Sequence, residues 1–152
     1  MPVKKRRPWL KKILIGILVI VVILAGVYWY YATEKFSDTK TTKADFTISA
    51  QDFIAEFNKD LKAANEKYTD KIIVLNGKVS DVESADTTVN IKFVDPATAS
   101  YAIFAFQSQH LVEAKSVKAG DSISIKGSCS GGIFSQILET TAISFKRSTL
   151  NN

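Results

Sequence analysis

Residues Thr88–Phe106 read TVNIKFVDPATASYAIFAF, and their period decides what kind of chain this is. From Thr88 to Val94, Val89, Ile91 and Phe93 share one face while Asn90 and Lys92 share the other. A period of two predicts a half-buried strand. Asp95-Pro96 ends it, because proline has no N–H to give a ladder. Alternation resumes over Ser100–Phe106, with Ala102, Phe104 and Phe106 on one side and Tyr101, Ile103 and Ala105 on the other.

The neighbouring segments follow the same period. Lys71–Val79 (KIIVLNGKV) predicts a strand, with Gly77 at a bulge or sharp bend. Gln107–Val117 loses the alternation and predicts a short helical turn around His110–Ala114. Ala119-Gly120-Asp121 is a turn, and Ser122–Gly127 a fourth strand with Ile123 and Ile125 inward. Ser130-Gly131-Gly132 reads as a loop before a last strand, Gln136–Phe145. Ahead of all of these, Ser49 caps a helix with Asp52 three positions on. Phe53, Phe57, Leu61, Ala64 and Tyr68 form its apolar stripe, expected to pack on the domain that follows.

Three strands, a short interval and two more strands is the order of a five-stranded OB barrel. The expectation is a mainly β fold: a five-stranded OB-fold barrel with an added N-terminal helix over residues 49–147, and a polar tail at 148–152. An open β-sandwich fragment or a small α+β sheet domain fits the pattern as an alternative.

The N-terminal segment has a different logic. Ile13–Ala32 (ILIGILVIVVILAGVYWYYA) runs 20 residues without a charge, and at about 1.5 Å per residue it spans a hydrocarbon core of about 30 Å. Tyr28 to Tyr31 suit the headgroup region, as does Trp9 at the other end. Residues 1–12 hold six basic residues and no acid, so this segment is expected on the cytoplasmic side of a single-pass anchor in the cytoplasmic membrane, with the rest of the chain across it. A cleaved signal peptide is the alternative, but the apolar run is longer than usual and Tyr30-Tyr31-Ala32 places rings at the exit. Residues 33–48, polar and Thr/Lys-rich, read as a linker. The net charge of +5 belongs to the flank: without those six basic residues, 14 remain against 15 acids.

Beside this reading stands a resemblance. Asn65-Glu66-Lys67-Tyr68 ends the helix, Lys71–Val79 is the first strand, and Val117–Gly131 reads VKAGDSISIKGSCSG. These resemble the small bacterial OB-fold family labelled tRNA-anticodon-domain-like, in which a helix ending in "N…A…Y" precedes "GK…V.G.V", and a "kGD.V.v.G.C.G" run precedes the final strand. Glu66 and Lys67 depart from it where alanine is common, and Asp70-Lys71 stands at its first glycine-lysine pair. The resemblance, which covers Ser49 to Phe145, implies an OB fold and frequent export or membrane attachment, and no established activity.

Catalytic chemistry is argued down residue by residue. His110 is the one histidine and Cys129 the one cysteine, so neither a zinc set nor an intrachain disulfide can form. His110 reads as a surface or helix-edge residue, and Cys129 as a small buried hydrophobe. Asp81, Glu83 and Asp86 cluster in an expected turn without EF-hand spacing, and no glycine pattern makes a phosphate loop. The chain is expected to be no enzyme and to need no metal or cofactor. The ligand-face candidates are Tyr101, as a ring for stacking, with Lys78, Lys92 and Lys126 around it. Because the domain is close to neutral, the expected partner is an envelope protein, a peptide or a glycan; single-stranded nucleic acid is the alternative that charge disfavours.

Overall fold

The computed structural model describes residues 8–32 and 37–152. Most of the basic flank and the start of the expected linker, residues 1–7 and 33–36, lie outside the described residues. Helix α1 (Pro8–Ala32) contains a stretch, Lys11–Ala32, with mean hydropathy 2.7, long and apolar enough to cross a membrane and consistent with a signal anchor. Residues 37–152 form a separate compact unit.

That unit contains β1 (Phe46–Ser49), α2 (Ala50–Lys59), α3 (Leu61–Tyr68), β2 (Ile72–Lys78), β3 (Asp81–Ser84), β4 (Val89–Val94) and β5 (Tyr101–Phe106). A 3₁₀ turn (Ser108–His110), α4 (Leu111–Lys115), β6 (Ser122–Ser135) and β7 (Thr140–Leu150) complete it. The strands form one mixed sheet in the order β1-β2-β6-β7-β5-β4-β3.

The expected five-stranded closed barrel is therefore corrected: the sheet has seven strands, its ladder ends at β1 and β3, and no pairing joins those ends. Two causes are visible in the chain. The predicted first strand breaks after Lys78. Val79 still exchanges hydrogen bonds with Gly120 and Asp121 beside β6, whereas Ser80 N–H turns to Lys92 O on β4. One covalent step thus carries the chain from one flank of the sheet to the other, and the strand becomes two. The second cause is an added strand, β1, which pairs in parallel with β2 from within the expected linker at 33–48.

The helix expected over 49–68 is also two. Asp60 (φ −153°, ψ 94°) ends α2 and caps α3, its carboxylate accepting from Ala63 N at 3.0 Å. Likewise, Ser130-Gly131-Gly132 is not a loop. β6 runs through it with a register shift between Cys129 and Gly131, where Gly131 adopts φ 98°, a bulge conformation open to glycine. The turn sits instead at 136–139, and β7 continues into the expected tail as far as Leu150.

The helices close the core against this bulge. Phe53 packs on Phe57, Tyr68 and Phe145, and Phe145 stacks on Phe104 at 4.5 Å between ring centroids. A Cβ on Gly132 would stand 2.7 Å from the Phe57 ring. Asn65 accepts from Gly132 N (2.7 Å) and donates to Gly132 O (3.0 Å). The residues that carry the family resemblance, Asn65, Tyr68 and the Cys129–Gly132 run, are thus the junction between helix and sheet. Cys129 is fully buried and its thiol pKa is pushed up to about 11 by burial.

Residues 37–45 lie on the domain as a strap. Asp38 Oδ1 meets His110 Nε2 at 2.9 Å, Lys40 pairs with Glu113 at 3.2 Å, and Asp45 exchanges backbone and carboxylate hydrogen bonds with Ile72. His110 sits at a helix edge, between the 3₁₀ turn and α4, and is buried there, not on the surface.

Candidate functional site

Ladder registers determine which side chains share the outer face of β3, β4 and β5. Val89, Ile91, Phe93, Ala102 and Phe104 point into the core and are buried, so their neighbours point out. One row crosses four strands as Val94, Tyr101, Ala142 and Ile133; the next crosses five as Asp81, Lys92, Ile103, Ser144 and Gly131. Tyr101 and Lys92 stand diagonally in these rows, with the ammonium 5.9 Å from the ring centroid.

Lys92 is not a free cation. It hydrogen-bonds Glu83 and lies 3.7 Å from Asp81, both on β3, and the Glu83 contact raises its pKa above the ordinary lysine value. The β3 margin of this face is acidic. Away from it, toward β7 and β6, the face is apolar and neutral: Tyr101 and Ile103 half-buried, Ala142, and Ile133 largely exposed.

The four sequence candidates are not brought together. Lys126 donates from Nζ to the carbonyls of Lys40 (3.2 Å) and Thr42 (2.9 Å), and is thereby committed to holding the strap. Lys78 is exposed on the wall of a different cleft, of about 1030 Å³, between the first turn of α2 and the ends of β2 and β4. That cleft lies where the barrel would have closed. Its charged lining is Lys78 and Asp95, and the rest is serine, asparagine, glutamine and apolar floor. Phe93 at its base is buried, so the cleft offers no ring for stacking. Only Tyr101 and Lys92 make a common site. Ala142 and Ile133 complete it and were missed by sequence reasoning, because single-strand alternation does not say which strand lies beside which.

Among the described residues no cluster of histidine, cysteine and carboxylate side chains could hold a metal.

A family model, tRNA_anti-like, matches residues 3–139, taking in both the apolar helix and most of the domain. No curated protein sequence matches the chain. Among solved structures, a lipoprotein of Klebsiella pneumoniae proposed to bind nucleic acid is similar at 17% identity, over 70% of this chain and 91% of that one, with a TM-score of 0.56. A proposed aspartyl-tRNA synthetase from Leishmania major (12% identity, 84% of this chain, TM-score 0.46) and the aspartyl-tRNA synthetase of Entamoeba histolytica (9%, 72%, 0.41) are similar more weakly. The chain spans about a quarter of the length of either synthetase, 25% in both cases. The expectation of an envelope-protein or glycan partner, with nucleic acid disfavoured, is corrected by the first of these: the Klebsiella lipoprotein is described by nucleic-acid binding, and its description names no glycan.

Proposed function

The chain belongs to the tRNA_anti-like family of non-catalytic OB-fold binding domains, and on that premise we propose that it is a membrane-tethered module for single-stranded nucleic acid. The observation that carries this is the Tyr101 row: a ring in the middle of a sheet face, flanked across the strands by Val94 and Ala142. β4 and β5 occupy the positions of OB strands two and three, the surface on which OB folds hold oligonucleotides. The similar Klebsiella lipoprotein, described as binding nucleic acid, supports the same class of ligand.

The chemistry is stacking more than charge. Bases lie on Tyr101 and extend over Ile103, Ala142 and Ile133, since a ring face or flat apolar surface accepts any base. Lys92 is already paired with two carboxylates and gives a phosphate little. Binding is therefore expected to depend only shallowly on salt, with a log–log slope no steeper than about −1.4, the value for two phosphate contacts on a single strand. The charge asymmetry about α1 supports an N-terminus on the cytoplasmic side and the domain across the membrane.

The test is a titration of the full chain in nanodiscs with fluorescent oligo(dT) and oligo(rU) of about 15 nucleotides, long enough for one OB fold. Tyr101→Ala is expected to weaken binding about tenfold, one stacked base's worth. Absence of binding to both oligomers at low salt would overturn the reading.

A further inference from the structure

The β6–β7 hairpin ends in a cluster of apolar side chains that the domain leaves in water. Ile133 is 76% exposed, Phe134 48%, Ile137 94% and Leu138 66%. Only one other large hydrophobic side chain of the described domain is as open, Val112 on α4. Residues 127–138 hold no charge at all, and Glu139 is the first. The tip is also shaped: Leu138 N donates to Ser135 Oγ at 3.3 Å, and Glu139 closes the turn with φ 53°. A concentrated apolar tip on an otherwise well-covered domain marks an interaction surface.

We propose that its occupant is a lipid bilayer, into whose headgroup–acyl boundary the hairpin inserts Ile137 and Leu138, with Phe134 beside them. The inference rests on the reading of α1 as a membrane anchor; Ile133 borders the nucleic-acid face around Tyr101, whereas Phe134, Ile137 and Leu138, the residues that insert, are no part of that face. The length of the chain argues for this occupant. The strap fastens Asp38 and Lys40 to the domain, so only residues 33–36 separate Ala32 from Ser37. Five Cα steps reach at most about 18 Å, whereas a domain of this size is roughly 35 Å across. A tether of that length, shorter than the domain, gives a tip with even weak lipid affinity a high effective concentration at a bilayer that α1 spans. Size argues against a second copy, since a stable dimer buries about 800 Å² on each partner and the tip offers four side chains. With no lysine or arginine at the tip, insertion depends on apolar burial and is indifferent to lipid charge.

The experiment places an environment-sensitive fluorophore on Leu138→Cys or, as control, on Val112→Cys, in the full chain in phosphatidylcholine vesicles containing doxyl-labelled lipid. Cys129 is fully buried and stays unlabelled. The label at 138 is expected to shift to the blue and to be quenched several-fold more strongly than the label at 112, unchanged when anionic lipid is added. Equal quenching at the two positions overturns the inference. So does efficient 138-to-138 cross-linking without quenching, which assigns the tip to a second copy, or a response of the 138 label to oligonucleotide in place of lipid. Alkaline carbonate separates the premises: a chain stripped from the vesicles overturns the anchor and the hairpin together, while a retained chain without quenching overturns the hairpin alone.

Discussion

The outer face of the sheet has two halves, each with a lysine in mid-strand, and the two lysines have opposite fates. On β6, Lys126 lies under the strap and donates hydrogen bonds to the backbone carbonyls of residues 40 and 42. Val74, its cross-strand partner on β2, is 3% exposed although it points away from the core. On β4, Lys92 faces an uncovered half and finds side-chain carboxylates on β3. Residue type and strand position are the same in both; what differs is whether another stretch of chain lies over them. A lysine that bonds carbonyls is a structural strut, because each carbonyl would otherwise lose a partner near the surface. A lysine that pairs with exposed carboxylates is replaceable.

Removing the junction beneath both halves is expected to have the largest effect. In Gly132→Ala the new Cβ meets the Phe57 ring at 2.7 Å and Ile143 at 3.3 Å, and the ring is already packed against Phe53 and Tyr68. Overpacking of this kind costs about 2–3 kcal/mol, read as a lower denaturant midpoint. A wild-type midpoint would show that α2 is not pressed against the bulge. Next in size comes the contrast itself. Lys126→Met should cost about 1–2 kcal/mol through its two charge-assisted bonds to carbonyls, and Lys92→Met less than about 1 kcal/mol. Equal costs would erase the distinction between the halves.

The two halves also differ in how far they can be read from sequence. The open half is legible: alternation in TVNIKFV and YAIFAF assigns Lys92 and Tyr101 to the outer face without reference to anything else. The covered half is not. Residues 37–45 carry almost no apolar periodicity, and what docks them is hydrogen bonding by Asp38, Asp45 and main-chain carbonyls, which leaves no pattern in side-chain hydropathy. They read as a linker for that reason, and Lys126 as a ligand contact. Gly131-Gly132 was ambiguous in the same way. Two glycines suit a loop or a strand pressed against a ring, and only the position of Phe57 separates them. Barrel closure fails at Val79–Ser80, where neither residue breaks a strand by type and the switch of partners is a long-range event.

The smallest expected effect tests the strap through pH. Asp38 accepts a hydrogen bond from His110 and another from Lys40 N, and these hold its carboxyl below the ordinary value of 3.8. A carboxyl with a depressed pKa in the folded state binds its proton less readily there than in the unfolded chain. Its contribution is therefore complete above the ordinary carboxyl range and is lost as pH falls through the folded value. Lys40, Glu113, Gln109 and Lys126 are the other polar groups around the strap. Amide exchange in residues 39–42 is thus expected to quicken below about pH 4, the carboxyl range, while the core amides of β5 and β7 stay protected. Asp38→Asn keeps an acceptor for both donors but cannot titrate, so its acid step should shrink. An unchanged acid step in Asp38→Asn would assign the strap's hold to Lys126 and the backbone, and the covered half would then be closed at every pH the fold survives.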